Sequence, residues 1–346
     1  MADNTQNLRI FSTCPQSKDV PAGSYLARVG EVARWSEAAG YEGILVYTDN
    51  GIVDPWPVAQ AIVTNTKRLC PLIAVQPLYM HPYTAAKMVS TFSYLYNRRL
   101  WINMVAGGFK NDLTALNDET PHDDRYLRVT EYATIMQRLL TTGEPVTFEG
   151  KYYNVTNLKM TPPLPPENAL NITLSGSSPA GMAAAEEIGA VAIRYPKEPG
   201  EEAGVPAEAQ TEVGVRIGII GRDTADAAWR VALDRFPEDK RGQITHQLAM
   251  KTSDSEWHKQ LSAKPATGAD GAARGVYWLG PFQNYKTFCP YLVGSYEEVS
   301  DLVADYIRFG FKTFILDIPP AQDDIEHTAK VFEMAKAKAR ELEVAS

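Results

Sequence analysis

The sequence predicts a single (β/α)8 barrel, on three observations. Eight short apolar runs alternate with helix-spaced stretches, the runs are continuously apolar, and the turn after the first lacks a dinucleotide fingerprint. Continuous apolar strands separated by helices indicate a parallel sheet covered on both faces. Eight such units favour closure over an open doubly wound sheet. An open sheet would announce its ligand in a Gly-rich turn after strand one, where this chain reads Cys14-Pro-Gln-Ser-Lys-Asp-Val-Pro21.

The first strand is Leu8 to Ser12, followed by a helix over 24–39 with Leu26, Val29, Val32, Ala33 and Trp35 at helical spacing. Gly43 to Thr48 is a buried strand, and Asp54 starts a helix with Pro55 in its first turn. Leu72 to Gln76 is the third strand, with a helix from near Pro82; Arg99 to Val105 is the fourth, with a helix over 123–142. Asn171 to Leu174, Ala190 to Arg194, Val213 to Ile220 and Thr313 to Leu316 complete the eight. At 346 residues, length alone suggests two domains, at about 150 residues each. Two insertions absorb the excess and leave one domain over 1–346. Residues 143–170 read as a hairpin around Glu149-Gly150 and a Pro-rich tether, Thr161 to Pro166. Residues 238–290 are polar and carry Gly268, Gly271 and Gly275; a loop this long at the strand-end rim is a candidate lid.

Composition narrows the function classes. Lys+Arg 34 against Asp+Glu 42 gives a net charge of −8, with no long basic run, which argues against nucleic acid as a partner. No apolar run approaches the ~18 residues of a membrane span, and the polar N-terminus lacks a signal-peptide pattern. A cytoplasmic enzyme is expected. Cys14, Cys70 and Cys289 are far apart and form no C-x-x-C, which fits neither a disulfide framework nor a zinc site. Only His81 and His122 lie near rim positions, so a metal hydrolase is disfavoured; His246, His258 and His327 read as solvated.

In a barrel the chemistry sits just after each strand. Those positions hold Thr48 and Asp49, Gln76 and His81, Asn103 to Gly108, Ser175 to Gly181, Arg194 with Tyr195, Arg222 and Asp317. The segment Gly176-Ser-Ser-Pro-Ala-Gly181 follows a strand and opens a helix. Its N–H groups and hydroxyls suit a phosphate, and an ordinary N-cap would leave the same sequence. In Pro121-His-Asp-Asp-Arg-Tyr126, a cap at Asp123 would set His122 and Tyr126 on one side of the first turn, able to donate to an anion together; a plain capping segment is the alternative. Asn103 ends a buried strand, where its carboxamide needs partners from backbone or ligand.

Taken in order, these segments resemble the bacterial luciferase-like flavin monooxygenases, nearest the alkanesulfonate monooxygenase branch. The resemblance is carried by Tyr41 to Thr48, His81 to Lys87, Asn97 to Gly107, Pro121 to Tyr126, Phe148 to Tyr153 and Gly176 to Ser178, and spans 8–235 and 291–335. It implies a (β/α)8 barrel with insertions and reduced FMN supplied by a separate NAD(P)H:FMN reductase. It also implies O2 as co-substrate, activated as a flavin C4a-peroxide. His122, Tyr126, Ser177 and Ser178 match positions that hold the FMN phosphate. Thr48, Gln76 and Asn103 match positions along the isoalloxazine and ribityl chain, and Ala106 and Gly107 match small residues beside the flavin.

The chain departs from the branch in several places. Ile52 stands where the alkanesulfonate enzymes carry a cysteine. Their strand-seven arginine and histidine fall on Arg216 and Gly218, and Pro319 replaces a tyrosine. The arginine-bearing lid is not recognisable in 238–290. Arg216, His81 and Tyr195 are the expected catalytic residues, and the substrate is a small organic molecule, an organosulfur compound or natural-product intermediate, free or carrier-bound. Pairing through helices 54–66 and 84–95 would give a homodimer or homotetramer. A deazaflavin-dependent oxidoreductase, and a non-catalytic flavin-binding or partner subunit, are the alternatives. A sugar-processing barrel is disfavoured for want of paired rim carboxylates.

Overall fold

The strands and helices follow one another as the periodicity predicts. The computed structural model describes residues 8–108, 110–202, 204–206, 209–252, 262 and 275–345. By its contacts the chain divides into two compact units: one comprises Cys14–Ala38 and Glu42–Ile193, the other the chain up to Thr13, Ala39–Tyr41 and everything from Arg194.

The chain's first strand, β1 (Arg9–Thr13), belongs to the C-terminal unit. The other unit begins with α1 (Ala22–Ala38), β2 (Gly43–Val46), α2 (Pro55–Asn65), β3 (Cys70–Val75) and α3 (Pro82–Tyr96). It continues through β4 (Trp101–Val105), α4 (Lys110–Ala115), α5 (His122–Thr141), β5 (Val146–Glu149) and β6 (Asn154–Leu158), to β7 (Asn171–Ser175), α6 (Pro179–Glu187) and β8 (Val191–Arg194). Strands β2, β3, β4, β7 and β8 are parallel neighbours, with Leu72 opposite Trp101 and Asn103 opposite Thr173. Three helices that follow strands start with the same device, a polar N-cap before a proline whose missing N–H costs nothing in the first turn. These are Asp54 accepting from Trp56 N (2.9 Å), His81 from Tyr83 N (3.1 Å) and Ser178 from Gly181 N (3.2 Å). Helix α5 differs from expectation: it begins at His122 after Pro121, so Asp123 lies inside the first turn and caps nothing.

The hairpin in 143–170 forms as β5 and β6, with Phe148 opposite Val155. Its turn is clamped to α5 by one buried carboxylate: Glu131 accepts the backbone N–H groups of Lys151 (2.8 Å), Tyr152 (2.8 Å) and Tyr153 (3.1 Å). A Cβ on Gly150 would lie 2.5 Å from Glu131 Oε2, so the turn needs glycine there.

Also on α5, buried Arg128 donates to Asp118 at 2.7 Å. Burial pushes the Asp118 carboxyl up, but hydrogen bonds from Arg128 and Thr120 more than offset this, and the net displacement is downward. A depressed carboxyl contributes stability above its unfolded pKa and loses it as pH falls through the folded value. Asp118→Asn should therefore cost about 3 kcal/mol at neutral pH, by leaving a buried guanidinium without its counter-charge. The difference from wild type should shrink in urea titrations repeated below the ordinary carboxylate range.

The C-terminal unit adds β9 (Val213–Arg222), α7 (Ala225–Arg235), α8 (Lys240–Thr252), β10 (Tyr277–Trp278), α9 (Gly280–Gln283) and β11 (Tyr291–Ser295). It ends with α10 (Tyr296–Arg308), β12 (Thr313–Leu316) and α11 (Gln322–Ala345). Strand β9 is longer than expected and changes partner midway: residues 214–217 pair with β12, and 218–222 with β11. At the changeover Gly218 makes room for the Tyr291 ring, whose Cζ would lie 2.3 Å from a Cβ at 218. The strand order is β10-β11-β9-β12-β1 in this unit and β2-β3-β4-β7-β8 in the other; β1, β2, β3, β4, β7, β8, β9 and β12 are the eight parallel strands of the (β/α)8 barrel that the sequence predicts. Most of the candidate lid, 253–261 and 263–274, lies outside the described residues. Among the described residues no helix is long and apolar enough to cross a membrane.

Candidate active site

The strongest convergence of expected site residues lies at the end of β7. Tyr126, one turn into α5, is buried with its ring laid on the backbone of the next loop. A Cβ at Gly176 would lie 2.2 Å from its hydroxyl, and one at Gly181 would lie 3.1 Å from its Cε1. His122 meets the ring edge-on at 5.2 Å, with Nδ1 2.7 Å from Asp123 Oδ1. Ser178 lies beside the phenol. Burial pushes Tyr126 upward, the Ser178 hydrogen bond and Arg125 pull it back, and the net direction is up, so at neutral pH it stays a donor. Ser178 accepts from Gly181 N through its lone pair while its hydroxyl meets the Tyr126 phenol, and half-buried Ser177 precedes it. Tyr126 and Ser178, hydrogen-bonded to each other, thus stand at the N-terminus of a nine-residue helix with His122 against the phenol ring, where the dipole favours an anion.

Three carboxamide and hydroxyl positions lie on or just after the neighbouring strands; Asn103 sits in the middle of β4 rather than at its end as expected, because Met104 and Val105 continue the pairing with β7. Asn103 Oδ1 accepts from Thr173 (2.8 Å) and Ser175 (3.0 Å), which fixes the amide and leaves its NH2 as the end available to a ligand. Gln76 is 6% exposed, and among the described residues its Nε2 has no hydrogen-bond partner. A buried amide left this way costs about 1–3 kcal/mol, which a ligand acceptor would recover. Thr48 is half-buried just beyond β2, and Ala106 is buried beyond β4. Gly107 has a local reason to be glycine: its φ is +95°, and a Cβ would lie 2.8 Å from Leu113. The orphaned Gln76 amide, the fixed Asn103 and the cradle under Tyr126 fit the phosphate and polar ring edge of a flavin nucleotide.

His81 is exposed, caps α3 through Nδ1 and touches the Tyr153 ring edge-on at 5.9 Å. Arg216 and Tyr195 belong to the C-terminal unit, where a second polar cluster surrounds Asp317. Asp317 Oδ2 accepts from Thr287 Oγ1 (2.6 Å) and Tyr291 Oη (2.8 Å), and Oδ1 lies 3.7 Å from Arg216 Nη2. Burial pushes the neighbouring Cys289 thiol up to about 12, so it stays protonated. Tyr195 packs against the apolar cluster that includes Ile220, Trp229 and Trp278, and desolvation raises its phenol, with Cys289 and Asp317 adding to the effect. Thr287 and Tyr291 had no role in the sequence reading; the glycine at 218 was the only trace of Tyr291.

Two histidine expectations are corrected. His246 is buried, with its ring against Phe282 at 4.7 Å and Nε2 on Ser262, and desolvation depresses its pKa. His327 is partly buried, with Nδ1 2.5 Å from Tyr296 Oη. His258 lies outside the described residues. Among the described residues no group of three His, Cys, Asp or Glu could hold a metal.

Within the unit that ends at Ile193, a buried phenol and a helix N-terminus after β7 thus accompany carboxamides on β4 and just after β3. Residues 7–313 match the family model described as luciferase-like monooxygenase, and the chain belongs to that family. It is thus an oxidoreductase of the monooxygenase type. Among curated proteins it is 33% identical over 317 residues to the 4-(gamma-L-glutamylamino)butanoyl-[BtrI acyl-carrier protein] monooxygenase BtrO of Niallia circulans, covering 89% of this chain and 91% of that one. Among solved structures it resembles the long-chain alkane monooxygenase LadA, with a TM-score of 0.71, 16% identity and coverage of 97% and 92%. It also resembles the oxygenating constituent of 3,6-diketocamphane monooxygenase from Pseudomonas putida, in complex with FMN, with a TM-score of 0.66, 16% identity and coverage of 96% and 98%. These two likenesses concern the fold.

Proposed function

We propose that this chain is the oxygenating component of a two-component monooxygenase that takes reduced FMN from a separate NAD(P)H:FMN reductase and acts with O2 on an acyl group tethered to a carrier protein. The observation that carries the reading is the similarity to a carrier-substrate monooxygenase over nine-tenths of the chain. Ser177, Ser178, His122 and Tyr126 hold the FMN phosphate, and Tyr126 serves as a neutral donor because burial keeps it protonated. The NH2 groups of Asn103 and Gln76 donate to the polar edge of the ring system, and Thr48, Ala106 and Gly107 line it. When bound, reduced FMN supplies the electrons for O2 activation. Arg216 orients the substrate, Tyr195 holds a proton on its phenol oxygen, and His81 has Nε2 left for proton transfer while Nδ1 caps α3. A cytoplasmic homodimer or homotetramer belongs to the same proposal; Tyr94 and Leu95 on α3, exposed at 74% and 61%, support pairing through that helix.

The test is turnover of the purified chain with reductase, NADH, FMN and 18O2 on a panel of acyl-carrier thioesters and the corresponding free acids. One 18O atom per product, formed only from carrier-bound substrates, is expected. Oxygen uptake indifferent to every carrier-bound acyl group would overturn the reading. So would turnover that needs a reduced deazaflavin and no O2.

A further inference from the structure

Two opposite charges stand side by side in the C-terminal unit, one within β9 and one just past the end of its neighbour β12. Arg216 lies on β9, 9% exposed, in register with Ile315 of β12, and Asp317 follows two residues later. Their separation, 3.7 Å from Nη2 to Oδ1, is well beyond the roughly 2.7–2.9 Å of a charge-assisted hydrogen bond.

The carboxylate takes its orientation from elsewhere. Oδ2 is fixed by the Thr287 and Tyr291 hydroxyls, and among the described residues no hydrogen bond ends on Oδ1. These hydroxyls hold the carboxylate in place without neutralising it. The arrangement is built into the fold, since the Tyr291 ring reaches Asp317 only because position 218 has no side chain.

Such a pair discriminates by charge. A lone anion drawn to Arg216 comes under the repulsion of Asp317, and a lone cation drawn to Asp317 meets Arg216. In a desolvated place either mismatch is costly. A group that carries both signs one or two bonds apart leaves the place neutral. We propose that Arg216 and Asp317 form the recognition site for a zwitterionic α-amino-acid end of the substrate, with its carboxylate on the guanidinium and its ammonium on Oδ1. This deepens the carrier-bound reading, on which it rests for where the other end of the acyl chain goes.

Three small probes test it on the full chain by ligand-observed NMR: γ-L-glutamylmethylamide, its analogue lacking the amine, and its analogue lacking the carboxylate. The zwitterion should bind at least tenfold more tightly than either single-charge probe. Asp317→Asn should abolish that preference and leave the anionic probe the best ligand; Arg216→Met should leave the cationic one. Equal dissociation constants, no binding of the zwitterion, or variants that weaken all three probes alike would each overturn the assignment. The wild-type comparison decides even if a variant folds poorly. Charge preference without carrier-dependent oxygenation would overturn only the carrier reading, and oxygenation without the preference only this one.

Discussion

Valine at position 218 should lower stability by about 3 kcal/mol, the upper part of the range for overpacked cores. A Cβ there would lie 2.3–2.5 Å from three atoms of the Tyr291 ring, which is 3% exposed and closed in by Trp278, Trp229 and Phe236. The ring has nowhere to go without giving up Asp317, and a buried carboxylate that loses a donor adds about 1–3 kcal/mol of its own. Urea midpoints for Gly218→Val, Tyr291→Ala and the double variant measure this. The double variant should be markedly less destabilised than the sum of the singles, because it removes the clash. A Gly218→Val midpoint equal to that of wild type would show that Tyr291 does not occupy the space.

The second large effect falls on cofactor affinity. Gly176→Ala should weaken FMN binding by roughly 100-fold, equivalent to about 2.7 kcal/mol. The added methyl would lie 2.2 Å from the Tyr126 hydroxyl, so either the phenol leaves the cradle or the loop carrying Ser177 and Ser178 lifts away. Either movement scatters the donors that one phosphate must meet together. Fluorescence titration of FMN reads the change. Gly23→Ala, with nothing within 4 Å of its Cβ, is the control expected to bind as wild type. Wild-type affinity in Gly176→Ala would remove the cradle from the proposed site.

All eight barrel strands were legible, because continuous burial writes itself as unbroken apolar runs such as Ile44-Leu-Val46 and Val213 to Ile220. The caps were also legible where a polar residue precedes proline, as at Asp54 and Ser178. Strand β11 was not, because Tyr291-Leu-Val-Gly-Ser295 follows a polar stretch that periodicity assigned to a rim loop. The donors around Tyr126 were found because His122 and Tyr126 are one helical turn apart and the serines are adjacent. The partners of Asp317 were missed for the opposite reason. Thr287 and Tyr291 reach it across 30 and 26 residues, and no local pattern marks a hydroxyl that will meet a carboxylate only after β9 changes partner. His246 misled because its helix has polar neighbours, while the aromatic residues that bury it, Phe282 and Tyr285, come from another segment.

The Glu131 clamp recognises main chain. Its three hydrogen bonds end on amide groups that any residue except proline supplies, so the clamp itself does not depend on the side chains of Lys151 and Tyr152, whereas it does require Gly150. The hairpin tip is thereby a graft point. Its exposed surface can diversify, between relatives or in a designed library, with its anchorage to the barrel helix unchanged.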